Sequence, residues 1–241
     1  MQFFDTHIHL ADFENTTPDD LMKSLKQAGI QKCICVCSRP QDFDKVAAFA
    51  RSYPATVVPA FGLHPWYVGE LSEGFETELE RFLKMFEGAL IGECGFDRLK
   101  NPDFEAQKEV FERQLSLAQT YHRPLLLHAV KADIWLQKYL PVLPKKSVFH
   151  SYSSSAEFLK QILKCELYIS VNKRFFRKSD SGKIILQTPI ERLVVETDAP
   201  FQSELADLQT VVSEIAQIKQ MSLEKTAEIL YSNATEILNN G

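Results

Sequence analysis

Short apolar runs alternate with amphipathic stretches from one end of this chain to the other. The runs predict strands at Phe3–Asp5, Lys32–Cys37, Thr56–Phe61, Ala89–Glu93, Pro124–His128, Ser147–His150, Leu167–Val171 and Arg192–Asp198. They recur every ~20–35 residues, the length of a strand plus a returning helix. Helix punctuation fills the gaps. Thr17-Pro18-Asp19-Asp20 offers a capping hydroxyl, a proline at the first helical position and acids in the first turn, and Gly29 is placed to end that helix. The longest helical pattern runs Asp103–His122, and two more, near Ser203–Lys219 and Ser222–Asn239, close the chain. No low-complexity linker, charge block or short repeat marks a boundary, so residues 1–241 are read as one domain. Eight strand–helix units predict an α/β fold, a (β/α)8 TIM barrel, with an open doubly wound sheet as the alternative.

Composition narrows this only a little. The chain has 241 residues, 45% hydrophobic and 24% charged, so it can build a core without staples. Its five cysteines lack the spacing of a zinc ribbon or a disulfide framework. Cys33, Cys35 and Cys37 alternate along one run and share a strand face, where they read as small buried hydrophobes. Reduced thiols and the absence of a signal-like start suggest a cytoplasmic protein. No apolar run approaches the ~18 residues needed to span a bilayer, so no membrane partner is expected. A net charge of −5 argues against a broad electrostatic grip on nucleic acid but leaves room for a local basic patch.

The chemistry sits where the strands end. In Asp5-Thr6-His7-Ile8-His9, strand alternation puts both imidazoles on one face, half of a metal site. Barrel enzymes carry their sites at the C-terminal ends of the strands. There this chain places His7 and His9, His64 in Gly-Leu-His-Pro, Glu93, His128, His150 and Asp198; of six histidines only His122 lies elsewhere. Burying two carboxylates without counter-charge costs several kcal/mol per ion, a difficulty that cations in the mouth remove. Six ligands exceed the needs of one tetrahedral ion and suit two divalent ions sharing a carboxylate. Such a pair activates water and clamps the attacking and leaving oxygens, so the implied chemistry is hydrolysis. Glu93 is the candidate bridge, and Asp198 suits a ligand that also receives the water's proton. His64 is placed to assist a phosphoryl or carbonyl oxygen or to protonate a leaving group; the alternative is a turn histidine bonding its own backbone. Glu196 shares the face of Asp198 and Asp5 that of the histidines, both reading as support for the ligands. Lys173-Arg174-Phe175-Phe176-Arg177-Lys178 follows strand seven, and its cations and aromatics suit phosphate contacts and base stacking through Lys173, Arg174 and Arg177. Arg98 and Lys131 add charge at the rim.

With these motifs in hand, the chain resembles the TatD family of metal-dependent deoxyribonucleases, amidohydrolase-like barrels, from Phe4 to about Asn233. The resemblance rests on Phe-Asp-Thr-His-Ile-His, Gly-Leu-His-Pro, Gly-Glu-Cys-Gly-Phe-Asp, Pro-Leu-Leu-Leu-His, Phe-His-Ser-Tyr and Glu-Thr-Asp-Ala-Pro, in that order. It implies one ion held by His7, His9, Glu93 and Asp198 and another by Glu93, His128 and His150. It also implies Mg²⁺-dependent hydrolysis of DNA phosphodiesters, often from a 3′ end. Imidazole-rich ligands equally suit Zn²⁺ or Mn²⁺. Two segments depart from the family pattern: Phe201-Gln202-Ser203-Glu204 replaces a longer loop, and Ser151-Tyr152-Ser153-Ser154 follows His150. The expected activity is therefore a phosphodiesterase acting on DNA, single-stranded or at a 3′ end, or on a small phosphate ester. The alternatives are an enzyme cleaving a small amide, lactone or ester, and a non-catalytic metal-stabilised binding barrel.

Overall fold

The computed structural model describes residues 1–101 and 103–239. Eight parallel strands pair in chain order: β1 (Phe3–Ile8), β2 (Ile30–Val36), β3 (Val57–Phe61), β4 (Leu90–Asp97), β5 (Leu125–Val130), β6 (Val148–Phe149), β7 (Tyr168–Val171) and β8 (Leu193–Val195). Around them run α1 (Pro18–Gln27), α2 (Phe43–Ser52), α3 (Phe75–Met85), α4 (Phe104–Thr120), α5 (Asp133–Leu136), α6 (Ala156–Lys164), α7 (Ser181–Gln187), α8 (Asp207–Lys219) and α9 (Leu223–Leu238). The order never reverses, which a doubly wound sheet requires. β1 and β8 meet at a seam. The Asp198 amide donates to the His7 carbonyl at 2.9 Å, and Thr6 Oγ1 donates to the Val195 carbonyl at 2.9 Å. The sheet is a barrel, closed at that seam by individual hydrogen bonds instead of a regular ladder.

Strand alternation builds two apolar layers. Phe4, Ile34, Val36, Ala60, Leu90, Leu126, Val148, Tyr168 and Val194 pack together inside the barrel, with contributions from every strand. Ala234 and Ile237 of α9 join this cluster, so the last helix seals the end opposite the strands' C-termini. Outward residues of the strands pack against the other helices. Cys33, Cys35 and Cys37 lie in that outer layer, buried as the sequence suggests. None of them joins a cluster of metal-ligating groups among the described residues.

The helix signals act as expected. Thr17 Oγ1 accepts from the Asp20 amide at 3.2 Å, Asp103 caps α4 through the Ala106 amide, and Ser222 caps α9 through the Lys225 amide. Some boundaries differ. α8 begins at Asp207 and not near Ser203, because Ser203 Oγ and the Glu204 amide are engaged in a turn. β4 runs on to Asp97, since Cys94–Asp97 stay paired with Leu127–Val130. β8 stops at Val195, and Glu196–Asp198 leave the ladder to turn across the mouth. Among the described residues no helix is long and apolar enough to cross a membrane.

Candidate metal centre

β1 and β4 each break strict alternation, and the breaks place the site. Phe4 and Leu90 face the inner core while Phe3 and Ile91 face outward. Further along, Ile8, Cys94 and Phe96 are the outward residues, so His7 and Glu93 turn inward. The pairing registers shift at those points, between Asp5 and Ile8 and between Ile91 and Cys94. β4 also approaches β5 very closely. A Cβ on Gly95, whose φ is +134°, would lie 2.2 Å from the His128 carbonyl oxygen. Only glycine fits there, and it lets Glu93 and His128 share one layer.

The six expected ligands converge. Glu93 stands in the middle and divides its oxygens. Oε2 lies 3.3 Å from His7 Nε2 and 3.8 Å from His9 Nε2. Asp198 Oδ1 lies 3.3 Å from His9 Nε2 and 3.8 Å from His7 Nε2, while those two nitrogens are 3.3 Å apart. On the other side, Glu93 Oε1 lies 2.8 Å from His128 Nδ1 and 2.6 Å from His150 Nε2, with the two nitrogens 3.3 Å apart. Donors ~2.0–2.1 Å from a shared ion in tetrahedral geometry lie ~3.3 Å from one another. In the first set three distances match that spacing and two, at 3.8 Å, are longer; in the second one matches and two, at 2.8 and 2.6 Å, are shorter.

Neighbouring groups fix which nitrogens are free to ligate. Asp97 Oδ2 accepts from His128 Nε2 at 3.0 Å and from Trp66 Nε1 at 2.6 Å, which leaves His128 Nδ1 bare toward Glu93. His64 does two things at once. Its Nδ1 accepts from the Trp66 amide at 3.0 Å, the turn contact, and its Nε2 reaches to 3.2 Å from Glu93 Oε1. That tautomer puts the proton on Nε2, so His64 enters the cluster as a donor and not as a metal ligand. Asp5 accepts from the Thr197 amide and hydroxyl and from the His7 amide, so it braces the backbone at the seam and not the imidazole faces. Glu196 Oε1 accepts from the Ser151 amide at 2.7 Å and stands 3.6 Å from His150 Nδ1. Behind the cluster, His7 Nδ1, His150 Nδ1 and Glu196 Oε2 are buried without hydrogen-bond partners, and these three residues form a further potential ligand group. Gln202 Nε2 donates to Asp198 Oδ2, and Asn172 Nδ2 donates to Ser151 Oγ at 3.0 Å.

The electrostatics fit cations. Among the described residues no Lys or Arg pairs with Asp5, Glu93, Asp97, Glu196 or Asp198, all nearly inaccessible; histidines alone face Glu93, Asp97, Glu196 and Asp198, and Asp5 has no ionic partner. Burial opposes ionisation of Glu93, yet His150, His64 and His7 around it hold its carboxyl well below the ordinary range. Burial likewise disfavours charge on His9, but Asp12, Asp198 and Glu93 push its pKa up to about 9. Burial brings His64 down to about 4, so it is neutral at physiological pH. Burial raises Asp5 to about 7 despite its bonds to Thr197. A pocket that concentrates carboxylates and imidazoles this deeply, with no basic side chain, has the donor chemistry of a divalent metal site.

The expected substrate residues fare unevenly. Lys173–Arg177 forms a 3-10 helix beside the mouth, but Lys173 Nζ is bound to Asp207 Oδ1 at 2.7 Å. Lys178 Nζ donates to the Ser153 carbonyl at 2.9 Å. Arg174 and Arg177 are exposed, as are Arg98 and Lys131 at the ends of β4 and β5. Stacking on the phenylalanines of this loop is corrected: Phe175 is buried in the core and Phe176 packs against it. Sequence reasoning also missed Asp97, Trp66, Phe201 and Gln202. Asp97 carried a usable signal, since it lies two positions past Gly95 and four past Glu93 on the same strand face; Gln202 carried none.

Comparison with known proteins gives a consistent picture. The profile of the TatD related DNase family matches residues 4–239. The chain is similar to Deoxyribonuclease Tat-D of Schizosaccharomyces pombe, 24% identical over 91% of this chain and 86% of that protein. It is similar to an uncharacterized metal-dependent hydrolase of Haemophilus influenzae, 29% identical over 83% and 82% of the two chains. The crystal structure of the TatD homologue YjjV from Escherichia coli superposes with a TM-score of 0.88 at 28% identity, covering 99% and 98% of the chains.

Proposed function

Because this chain belongs to the TatD related DNase family, we propose that its barrel mouth hydrolyses DNA phosphodiester bonds with two divalent cations. The observation that carries the reading is the division of Glu93 between two ligand sets. His7, His9, Asp198 and Glu93 Oε2 would hold one cation, and His128, His150 and Glu93 Oε1 the other. Cations bound there would supply an acidified water as nucleophile and neutralise charge on the phosphoryl oxygens. Mg²⁺, Mn²⁺ and Zn²⁺ all suit the donors.

The chain's own groups do the rest. Asp97 holds His128 in one tautomer, and Glu196 places a carboxylate 3.6 Å from His150 Nδ1. Burial resists ionisation of Asp198, but His9, His7 and His150 keep it ionised. As an ionised carboxylate beside the bound cation, Asp198 would be the group available to take a proton from water there. His64 presents Nε2–H to a phosphoryl oxygen, and as a neutral imidazole it stabilises charge there by donating a hydrogen bond. Arg174 and Arg177 contact phosphates of the strand, while Lys173, tied to Asp207, contributes little. A single strand or a 3′ end is the proposed form of the substrate.

The test uses protein stripped of metal and resupplied with Mg²⁺, Mn²⁺ or Zn²⁺, acting on end-labelled single-stranded oligonucleotides. At least one ion restores stepwise cleavage, and Asp198→Asn abolishes it. The proposal is lost if no ion supports cleavage of any DNA end while a small amide, lactone or ester is turned over.

A further inference from the structure

The burial of Phe175 leaves the mouth without the stacking residues expected after β7. Two other aromatics stand exposed on either side of the metal-ligating cluster. Trp66, just past β3, keeps 44% of its surface accessible, and its ring lies edge-on to His64 at 4.8 Å and to His128 at 6.0 Å. Phe201, just past Asp198, is 64% exposed, and its ring lies edge-on to His9 at 4.9 Å. One ring therefore borders the His64–His128 half of the cluster and the other the His9–Asp198 half. Both are anchored. Trp66 is pinned through Nε1 to Asp97 and through its amide to His64. Phe201 donates its amide to the Asp198 carbonyl at 2.9 Å, and its neighbour Gln202 binds the Asp198 carboxylate. Lys100 Nζ stands 5.2 Å from the Trp66 ring centre, a cation beside a stacking face.

We propose that Trp66 and Phe201 are base-stacking platforms that flank the scissile phosphodiester and select unpaired nucleobases on its two sides. Rigid exposed aromatic faces beside a phosphate-binding centre suit a ligand that alternates phosphate and planar rings, and stacking accepts any base because each has a π-face. In a duplex those faces are already covered by neighbouring base pairs. The platforms thus make single-strandedness a property read by side chains. The inference rests on the reading that this centre cleaves DNA.

The test is a cycle between side chain and base. Wild type, Phe201→Ala and Phe201→Trp are compared on oligonucleotides that are identical except for an abasic tetrahydrofuran residue beside the cleaved bond. Loss of one stacked base is worth roughly 5- to 150-fold in affinity. Phe201→Ala is expected to raise KM by that factor on the base-bearing strand, with kcat changing much less. On the strand whose abasic residue occupies the Phe201 side, the variant and wild type should behave alike. Phe201→Trp should restore KM. As a second reading, tryptophan emission of the Asp198→Asn protein should fall on adding single-stranded DNA and hardly change with blunt duplex. Equal losses on base-bearing and abasic strands, or duplex cleaved as fast as single strand, would overturn the stacking role while leaving the nuclease intact. A wild-type protein that degrades no DNA with any ion removes the nuclease reading and this inference with it.

Discussion

Gly95→Ala tests whether the site depends on the close approach of β4 to β5. Gly95 pairs with His128 across the two strands and holds a φ of +134°, where L side chains are strained. The added methyl would stand 2.2 Å from the His128 carbonyl oxygen and 3.1 Å from two further backbone atoms of that residue. Since these are backbone atoms, no rotamer change relieves the overlap, and the strands must part by about 1 Å to reach ordinary contact. Adopting the wrong backbone region costs ~1–3 kcal/mol, and overpacking between fixed elements adds a similar ~1–3 kcal/mol. The expected loss is about 4 kcal/mol, which lowers Tm by roughly 8–16 °C for a chain of this size. Urea titration followed by circular dichroism measures the loss. Titration calorimetry with Mn²⁺ shows whether the second ligand set weakens with it, because His128 is the residue displaced. Gly182→Ala is the control: it lies in α7 with open space around its Cβ and should stabilise by ~0.4–1 kcal/mol. A Gly95→Ala protein within 1 kcal/mol of wild type that binds metal normally would refute the reasoning.

Two other outcomes are expected. Asp97→Asn removes the carboxylate that fixes the His128 tautomer and should weaken metal binding ~10- to 100-fold, with the fold retained by circular dichroism; unchanged affinity would mean that His128 is oriented by other contacts. Burial pushes the Cys35 thiol up to about 12 and holds those of Cys33 and Cys37 well above the ordinary thiol range, so at pH 8 an aromatic disulfide reagent should modify at most Cys165 in the folded protein and all five thiols after unfolding. Rapid native labelling of two or more thiols would contradict that placement.

Much of this architecture was legible because the information is local. Each strand announces itself by a short apolar run between helical patterns, and chain-order pairing in a barrel needs no further instruction. The candidate ligands could be gathered from the sequence because they sit at strand ends, where the fold brings them together whatever the loops do. The unread parts depend on contacts between distant segments. Strict alternation from Phe4 would have turned His7 away from the interior, and the break in alternation that turns it in coincides with a register shift against β2. The sequence of Lys173–Lys178 reads as a free basic loop, but Asp207, far along the chain, neutralises Lys173, and the core takes Phe175. Trp66 and Phe201 look like ordinary apolar residues until their exposure beside the histidines is seen.

The seam between β1 and β8 also sets the order in which a newly made chain becomes competent. Asp5 bonds Thr197 across 192 positions of sequence, and His7 and His9 meet Asp198 at the same junction. Pairings of such long range form late, since the loop they close is nearly the whole chain. A nascent polypeptide that has emerged through β7 carries five of the six candidate ligands, yet lacks Asp198 and the strand that β1 meets at the seam. A complete set of metal donors is therefore a certificate of ring closure: a truncated or half-collapsed chain cannot assemble it.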